Sequence, residues 1–244
     1  MGKTAVTQGN GVRAEPALPH GSPRLDLRLP PGLRRILIVG AGGFGREVLN
    51  WARNAWPADN GLIAGFLSAD RHAHKGSPFP LPIIDSPDDY RPQAGDACLL
   101  AIGIPRIRRA VADSLHDRGV QFLTLIHPSA IVAPSASIGP GSIICPHVIV
   151  SDQASLGRCV LMNYHSSIGH DASVGDFGVL SPYATLGGHA HIHEDVFMGL
   201  HATVGPGKTV GARSKISANS CALADAPPDS IIYGSPGRIR PLLQ

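Results

Sequence analysis

From Ile126 onward, every sixth residue of this chain is aliphatic. The series runs Ile126, Val132, Ile138, Ile144, Val150, Leu156, Met162, Ile168, Val174, Leu180, Leu186, Ile192, Met198, Val204, Val210 and Ile216. These sixteen hexads follow one another without an insertion. Eight of the aliphatic residues are followed at once by glycine, at 139, 157, 169, 175, 187, 199, 205 and 211. Fourteen of the sixteen carry Ala, Ser or Val four positions later, the exceptions being Gly178 and Lys208. A period of six is neither the 3.6 of an α-helix nor the 2 of a half-buried strand. It is the period of a hexapeptide solenoid. An ordinary β-sandwich would need uneven strand lengths and hairpin turns, which this register does not supply.

The pattern translates directly into a shape. Each hexad makes one short strand and one corner, and three hexads close a triangular coil. The aliphatic residue is expected to point into the prism, small residues to fit the corners, and glycine to relieve backbone strain. Coils stack at strand spacing, about 4.8 Å, so residues eighteen apart in sequence should lie one above the other. Sixteen hexads make a little over five coils. The solenoid is expected over residues 125–222, with a C-terminal tail over 223–244.

The texture upstream is different. Residues 1–33 hold Pro16, Pro19, Pro23, Pro30 and Pro31 with no hydrophobic period, the mark of a flexible extension. Residues 34–124 alternate short apolar runs with helix-like stretches. Ile36-Leu37-Ile38-Val39 ends at Gly40-Ala41-Gly42-Gly43-Phe44-Gly45, and a helical segment follows to about Ala55. Further apolar runs lie at 62–67 and 97–102, a second helical segment at 107–118, and a closing strand at 120–126. Strand and helix in alternation predict βαβ units with a parallel sheet. About ninety residues are too few for two complete mononucleotide-binding halves. The fold expected is therefore α/β plus β-solenoid, a small Rossmann-like domain followed by a parallel β-helix of hexapeptide repeats.

Composition excludes several classes of function. No run approaches the roughly 18–20 apolar residues of a membrane span, and no apolar segment of a secretory signal stands near the start, so no membrane association is expected. A net charge of +3 is too mild for a nucleic-acid binder. Cys98, Cys145, Cys159 and Cys221 lack CxxC spacing and read as buried thiols in a reducing cytoplasm.

Three features together, the glycine-rich loop 40–45 on a small α/β domain, hexads containing Gly169-His170-Asp171, and the closing Tyr233-Gly234-Ser235-Pro236, resemble a known family. It is the sugar O-/N-acyltransferases of the left-handed β-helix superfamily. These include the sialic-acid O-acetyltransferase type and the N-acetyltransferases acting on nucleotide-activated sugars in bacillosamine and perosamine synthesis. The resemblance covers residues 35–240. It implies a homotrimer that takes acetyl-CoA at the seams between β-helices and a nucleotide sugar from the small domain.

By that resemblance His170 is the general base, and its imidazole suits proton abstraction near neutral pH. Asp171 matches the acidic residue that raises the basicity of the histidine. Gly188, eighteen residues on, matches a backbone N–H donor to the oxyanion, and Asn163 matches an asparagine that orients substrate. Gly42, Gly43, Phe44, Ser68 and Gly103 fall where relatives touch the nucleotide sugar, with Asp70 beside them. Leu200 and Ala218 match cofactor contacts, while Lys208, Lys215 and Arg213 are candidates for the CoA phosphates. Two departures stand out. A second histidine of many N-acetylating relatives is Val179 here, and a loop histidine of those relatives is Phe44.

The residues alone leave two other classes open. His147, His165 and His201 fall in one stacked column, and His165 is five residues from His170, so a zinc site like that of the γ-class carbonic anhydrases is conceivable. A solenoid can also be a non-catalytic scaffold. No metal is expected on the acyltransferase reading.

Overall fold

A computed structural model describes residues 28–73 and 81–242. Most of the extension expected over residues 1–33 lies outside them. The small domain is a five-stranded parallel sheet with two helices. Its elements are β1 (Arg35–Val39), α1 (Gly43–Ala55), β2 (Ile63–Leu67), β3 (Ile83–Asp85), β4 (Asp96–Leu100), α2 (Pro105–Asp117) and β5 (Gln121–Phe122). The strand order is β3-β2-β1-β4-β5. Side chains of β1 alternate between two cores. Ile36 and Ile38 pack with Val48, Leu49 and Ala52 of α1, and Leu37 and Val39 pack with Ala112 and Leu115 of α2. A parallel strand covered on both faces reads as a continuous apolar run, which is why 36–39 shows no alternation.

The single strand expected over 120–126 is two strands in two sheets. β5 pairs with β4, whereas β6 (Leu125–Ile126) pairs with Ile143–Ile144 of the solenoid. The chain changes sheet between them: Leu123 N–H donates to Cys98 at 2.9 Å, and Leu125 N–H to Ser142 at 2.9 Å. An unbroken apolar run conceals this switch.

The remainder is the expected parallel β-helix. Two-residue strands stack in three ladders with partners eighteen apart, as Ser155↔Ser173, Leu161↔Val179 and Ser167↔Thr185 show. The roles assigned to the glycines and small residues need correcting. Backbone strain sits three residues after each aliphatic, where φ is positive in every hexad from Ile138 to Ile216, and only Gly141 and Gly207 are glycine there. The glycines directly after the aliphatics serve close approach of the coils instead. A Cβ at Gly169 would lie 2.6 Å from Gly188 N, and one at Gly199 would lie 2.7 Å from Ala218 N. The small residue four after each aliphatic is not a corner residue: Ala154, Ala172, Ala184, Ala190 and Ala202 are buried in the prism. Each stands two before the next aliphatic, so strand pleating turns both inward.

The expected C-terminal tail contributes structure. Ser230–Tyr233 adds in parallel to Lys215–Ile216 and pairs antiparallel with Arg238–Pro241, closing that end of the ladder.

The three positive-φ columns have different occupants. Cys159, Phe177 and Asp195 form the column against which α2 docks. Arg109 bonds Asp195 at 2.8 Å, and Asp113 pairs with Arg158 at 3.0 Å. The guanidinium groups of Arg109 and Arg158 lie 4.3 and 4.5 Å from the Phe177 ring centroid. Phe177 is fully buried, so these cation–π contacts are shielded from water.

Candidate active site

His170 stands two residues after Ile168, at an outward corner, and its side chain is 61% exposed. Its Nδ1 lies 2.8 Å from Asp171 Oδ2. Asp171 occupies the positive-φ position, φ 58°, which swings its carboxylate back alongside the imidazole of its neighbour. With Nδ1–H donating to the carboxylate, the Nε2 lone pair is free to take a proton.

Gly188 covers that nitrogen. A Cβ there would lie 2.6 Å from His170 Nε2. Glycine is therefore required for the ring to sit where it does. The Gly188 N–H has no acceptor among the described residues, because the ladder uses the neighbouring amides: Gly187 N–H donates to Val204 and His189 N–H to His170. The same position tolerates proline at 140, 146, 182 and 206, where the missing N–H costs no ladder bond. An amide outside the ladder bonding is thus a property of the repeat at this position, and glycine leaves the one beside His170 uncovered by a side chain.

Sequence reasoning did not place His189 in this group. It lies eighteen residues after Asp171, its Nε2 is 3.6 Å from Asp171 Oδ2, and its ring meets that of His170 edge-on at 5.0 Å. The coil period alone could have found it. The ligand-bearing atoms of His170, Asp171 and His189 lie within 4.8 Å of one another.

Asn163 lies one corner before His170 along the chain. Its Oδ1 accepts the Tyr164 N–H at 2.8 Å, which makes it part of its own corner. Val179 is buried in the ladder.

The imidazole column argues against a zinc site. His147, His165, Tyr183 and His201 stack with centroids 4.9, 4.9 and 4.7 Å apart and planes within 14°. Stacked rings offer faces to one another, whereas a metal needs nitrogen lone pairs converging in the ring planes. Tyr183 also separates His165 from His201.

In the small domain, the glycine-rich loop divides into two roles. Gly40 has φ +108°, and its Cβ would crowd the Ala101 backbone, while a Cβ on Gly45 would run into Gly40. These two are structural. Around Gly42 and Gly103 a Cβ would meet nothing within 4 Å, and at Gly43 only the tip of Arg46 at 4.0 Å. Gly42 caps α1 without any side-chain bond, which leaves helix N-terminal amides available to an anion. Phe44 is half-buried and meets Trp51 edge-on at 6.0 Å. Ser68 Oγ donates to the Asp70 carbonyl, and the Asp70 carboxylate accepts the His72 N–H at 2.8 Å, so both residues shape the turn after β2.

On the last coils, Leu200 is 50% exposed, and Ala218 lies one coil above it, with Asn219 N–H donating to Leu200 at 2.8 Å. Lys215 Nζ is 5.9 Å from the Phe197 ring, while Lys208 precedes a strand of a different ladder. Arg213 is not a free phosphate ligand: it is paired with Asp229 at 2.7 Å. The cysteines are unbridged, three of them buried, and burial pushes the Cys98 thiol up to about 12. No helix among the described residues is long and apolar enough to cross a membrane.

With this geometry in hand, similarities to known proteins carry weight. The family model of the PglD N-terminal domain matches residues 35–115. The chain is 36% identical over 72 residues, 30% of its length, to the GDP-perosamine N-acetyltransferase of Escherichia coli O157:H7. It is 34% identical over 116 residues, 46% of its length, to the UDP-N-acetylbacillosamine N-acetyltransferase of Bacillus subtilis strain 168. The matched stretches span 33% and 51% of those two proteins. A histidine-to-asparagine mutant of the perosamine N-acetyltransferase of Caulobacter crescentus, solved with CoA and GDP-perosamine, superposes with a TM-score of 0.75 at 26% identity, over 84% of this chain and 96% of that one. Residues 35–115 match the PglD N-terminal domain model, and the chain joins this region to a hexapeptide β-helix in the overall arrangement of the perosamine N-acetyltransferase on which it superposes.

Proposed function

We propose that this protein moves an acetyl group from acetyl-CoA to an amino group of a nucleotide-linked sugar. The observation that carries the reading is the His170 corner: an exposed imidazole, its Nδ1 held 2.8 Å from Asp171, its Nε2 beside Gly188, whose N–H has no acceptor among the described residues. The sugar amine attacks the thioester carbonyl carbon, and His170 Nε2 takes the proton the nitrogen loses. The carbonyl oxygen becomes an oxyanion to which the Gly188 N–H can donate. Collapse of the tetrahedral intermediate breaks the C–S bond, and the departing thiolate collects the proton from the imidazolium, leaving CoA and the amide. Amine is preferred to hydroxyl because the similar curated proteins are N-acetyltransferases.

In the same reading Gly42, Gly43 and Gly103 receive the nucleotide sugar, and Leu200 and Ala218 border the CoA. The small domain docks on the column of Cys159, Phe177 and Asp195, a different corner of the prism from the one bearing His170. A site that unites loop and base therefore calls for a second copy, and a cytoplasmic homotrimer supplies it by cyclic symmetry. The test is a thermal-shift screen of UDP-, dTDP- and GDP-linked amino sugars and acetyl-CoA, followed by assay of CoA release. Stabilisation by acetyl-CoA and by one nucleotide class, with CoA release only when both are present, is expected. Failure of every donor and acceptor to bind would overturn the reading.

A further inference from the structure

Among the described residues, Arg108 is the largest side chain with no exposure to solvent. It lies in the first turn of α2, at the seam between the small domain and the β-helix. Its Nε donates to the Cys159 carbonyl at 2.7 Å, across the domain boundary. Its Nη1 donates to the carbonyls of Leu100 and Ile102, at 2.5 and 3.0 Å, on the strand end and loop that lead into Gly103. Burial pulls its pKa down to about 10, which leaves it charged at neutral pH. Among the described residues no carboxylate contacts it, and Nη2 has no hydrogen-bond partner.

That is an expensive way to fill a core position. A buried guanidinium without a counter-ion carries a desolvation cost, and an apolar side chain of similar volume is commonly neutral or stabilising in its place. Net stability therefore does not account for the residue. What an apolar side chain cannot do is hold three carbonyls from two domains in fixed relation, and the planar fork of arginine can. The loop it grips is also tied to β1, since Ala101 N–H donates to Val39 at 2.8 Å, and Ala101 abuts Gly40 at the start of the glycine-rich loop.

We propose that Arg108 is a positioning residue that locks the loop at 101–104, and through it the glycine-rich loop, to the β-helix coil at Cys159. It fixes where the small domain presents a bound nucleotide sugar relative to the catalytic prism. The brace is a property of the fold. Its consequence for substrate rests on the acetyl-transfer reading.

Arg108→Met keeps the volume and removes every donor, and Arg108→Lys keeps the charge without the fork. Hydrogen–deuterium exchange tests the brace directly. Peptides covering 100–105 should exchange at least about tenfold faster in both variants, while coils 143–180 stay as in the wild type. Unchanged exchange in the loop would overturn the proposal. Wild-type exchange in the lysine variant would reduce the residue to a charge and overturn the geometric part. With a GDP- or UDP-linked amino sugar as acceptor, KM for the sugar should rise about tenfold, with CoA affinity and Tm little changed. Joint loss of sugar binding, CoA affinity and Tm would mark a merely structural residue and overturn the proposal. If the wild type acetylates no nucleotide sugar, the functional reading fails, and the exchange measurement still decides the brace.

Discussion

The two halves of this chain make ligand sites by opposite means. In the β-helix the backbone repeats at every corner from Ile138 onward: a strand, an inward aliphatic, then a residue at positive φ. Chemistry there depends only on which side chains occupy a corner. Phe177 and Asp195 turn one column into a dock for α2, while His170 and Asp171 place the proposed base on another. In the small domain the backbone itself changes from loop to loop, and the candidate ligand positions are glycines with open space around them. One half displays side chains on a fixed lattice, and the other displays bare backbone. Substitutions should therefore act by addition of bulk in the small domain and by removal of function in the helix.

The sharpest break of that comparison is His170→Ala. Removing a positioned general base should lower kcat by about 10²–10⁴, with acetyl-CoA affinity and fold unchanged. Steady-state kinetics beside calorimetric titration of CoA measures both. Near-normal turnover would remove the lattice corner as the reactive one and turn attention to His189, whose Nε2 faces the same carboxylate.

Gly188→Ala tests whether the lattice tolerates bulk where the site does not. The new Cβ would fall 2.6 Å from His170 Nε2. The imidazole is exposed and can swing aside, so the fold survives, while the base leaves its place. A kcat loss of about 10–10² at unchanged Tm is expected, because the backbone donor remains and only the base moves. Full activity would show that His170 does not work from the position seen here.

Gly43→Val is the counterpart in the small domain. Its Cβ meets only the Arg46 tip at 4.0 Å, so a side chain there costs the fold little and projects into the space proposed for the ligand. KM for the nucleotide sugar should rise about tenfold with acetyl-CoA affinity intact. Equal loss of both ligands would contradict the division of labour between the halves.

The same contrast explains what was legible in the residues. Sixteen hexads in register announce a triangular solenoid, and counting eighteen residues along the chain is enough to place Gly188 over His170. The role of each position within the hexad was less legible. A glycine that admits a neighbouring coil looks the same in sequence as a glycine that relieves φ, and the positive-φ sites mix His, Asp and Asn, which favour that region, with Gln, Cys, Phe, Tyr and Arg, which do not. In the small domain nothing repeats. The strand Ile83–Asp85 is three residues long, the change of sheet after Phe122 lies inside one apolar run, and the docking partners Arg109 and Asp195 are 86 positions apart. Arg213 looked free because its partner Asp229 lies in the segment read as a tail.

The two halves should also part company in acid. Asp96 opens β4 directly opposite Arg35, which opens β1, so this pair sits at the end of the sheet away from the glycine-rich loop. Burial of Asp96 opposes its ionisation, but a bidentate Arg35 at 2.7 and 2.8 Å, the Tyr90 hydroxyl and the Gln93 N–H outweigh it and hold the carboxyl at about 2. A carboxylate whose pKa is lowered on folding contributes stability above its unfolded value, near ~3.9, and loses that contribution as pH falls toward the folded value. The shift corresponds to about 2 kcal/mol, present at neutral pH and fading between about pH 4 and pH 2. Both tryptophans, Trp51 and Trp56, lie in the small domain, so their fluorescence is weighted toward that half, while amide exchange in peptides from 143–216 reports the coils. Fluorescence should therefore show the small domain loosening in that window before the β-helix signal changes. In Asp96→Asn the small domain should begin about 2 kcal/mol less stable at neutral pH and lose little more on acidification. Catalysis at neutral pH should change least of all the variants, since the pair lies at the far end of the strands from Gly42 and Gly103. A wild-type acid transition seen simultaneously by both probes, and left in place by Asp96→Asn, would show that the halves unfold as one unit and that this carboxylate does not govern the transition.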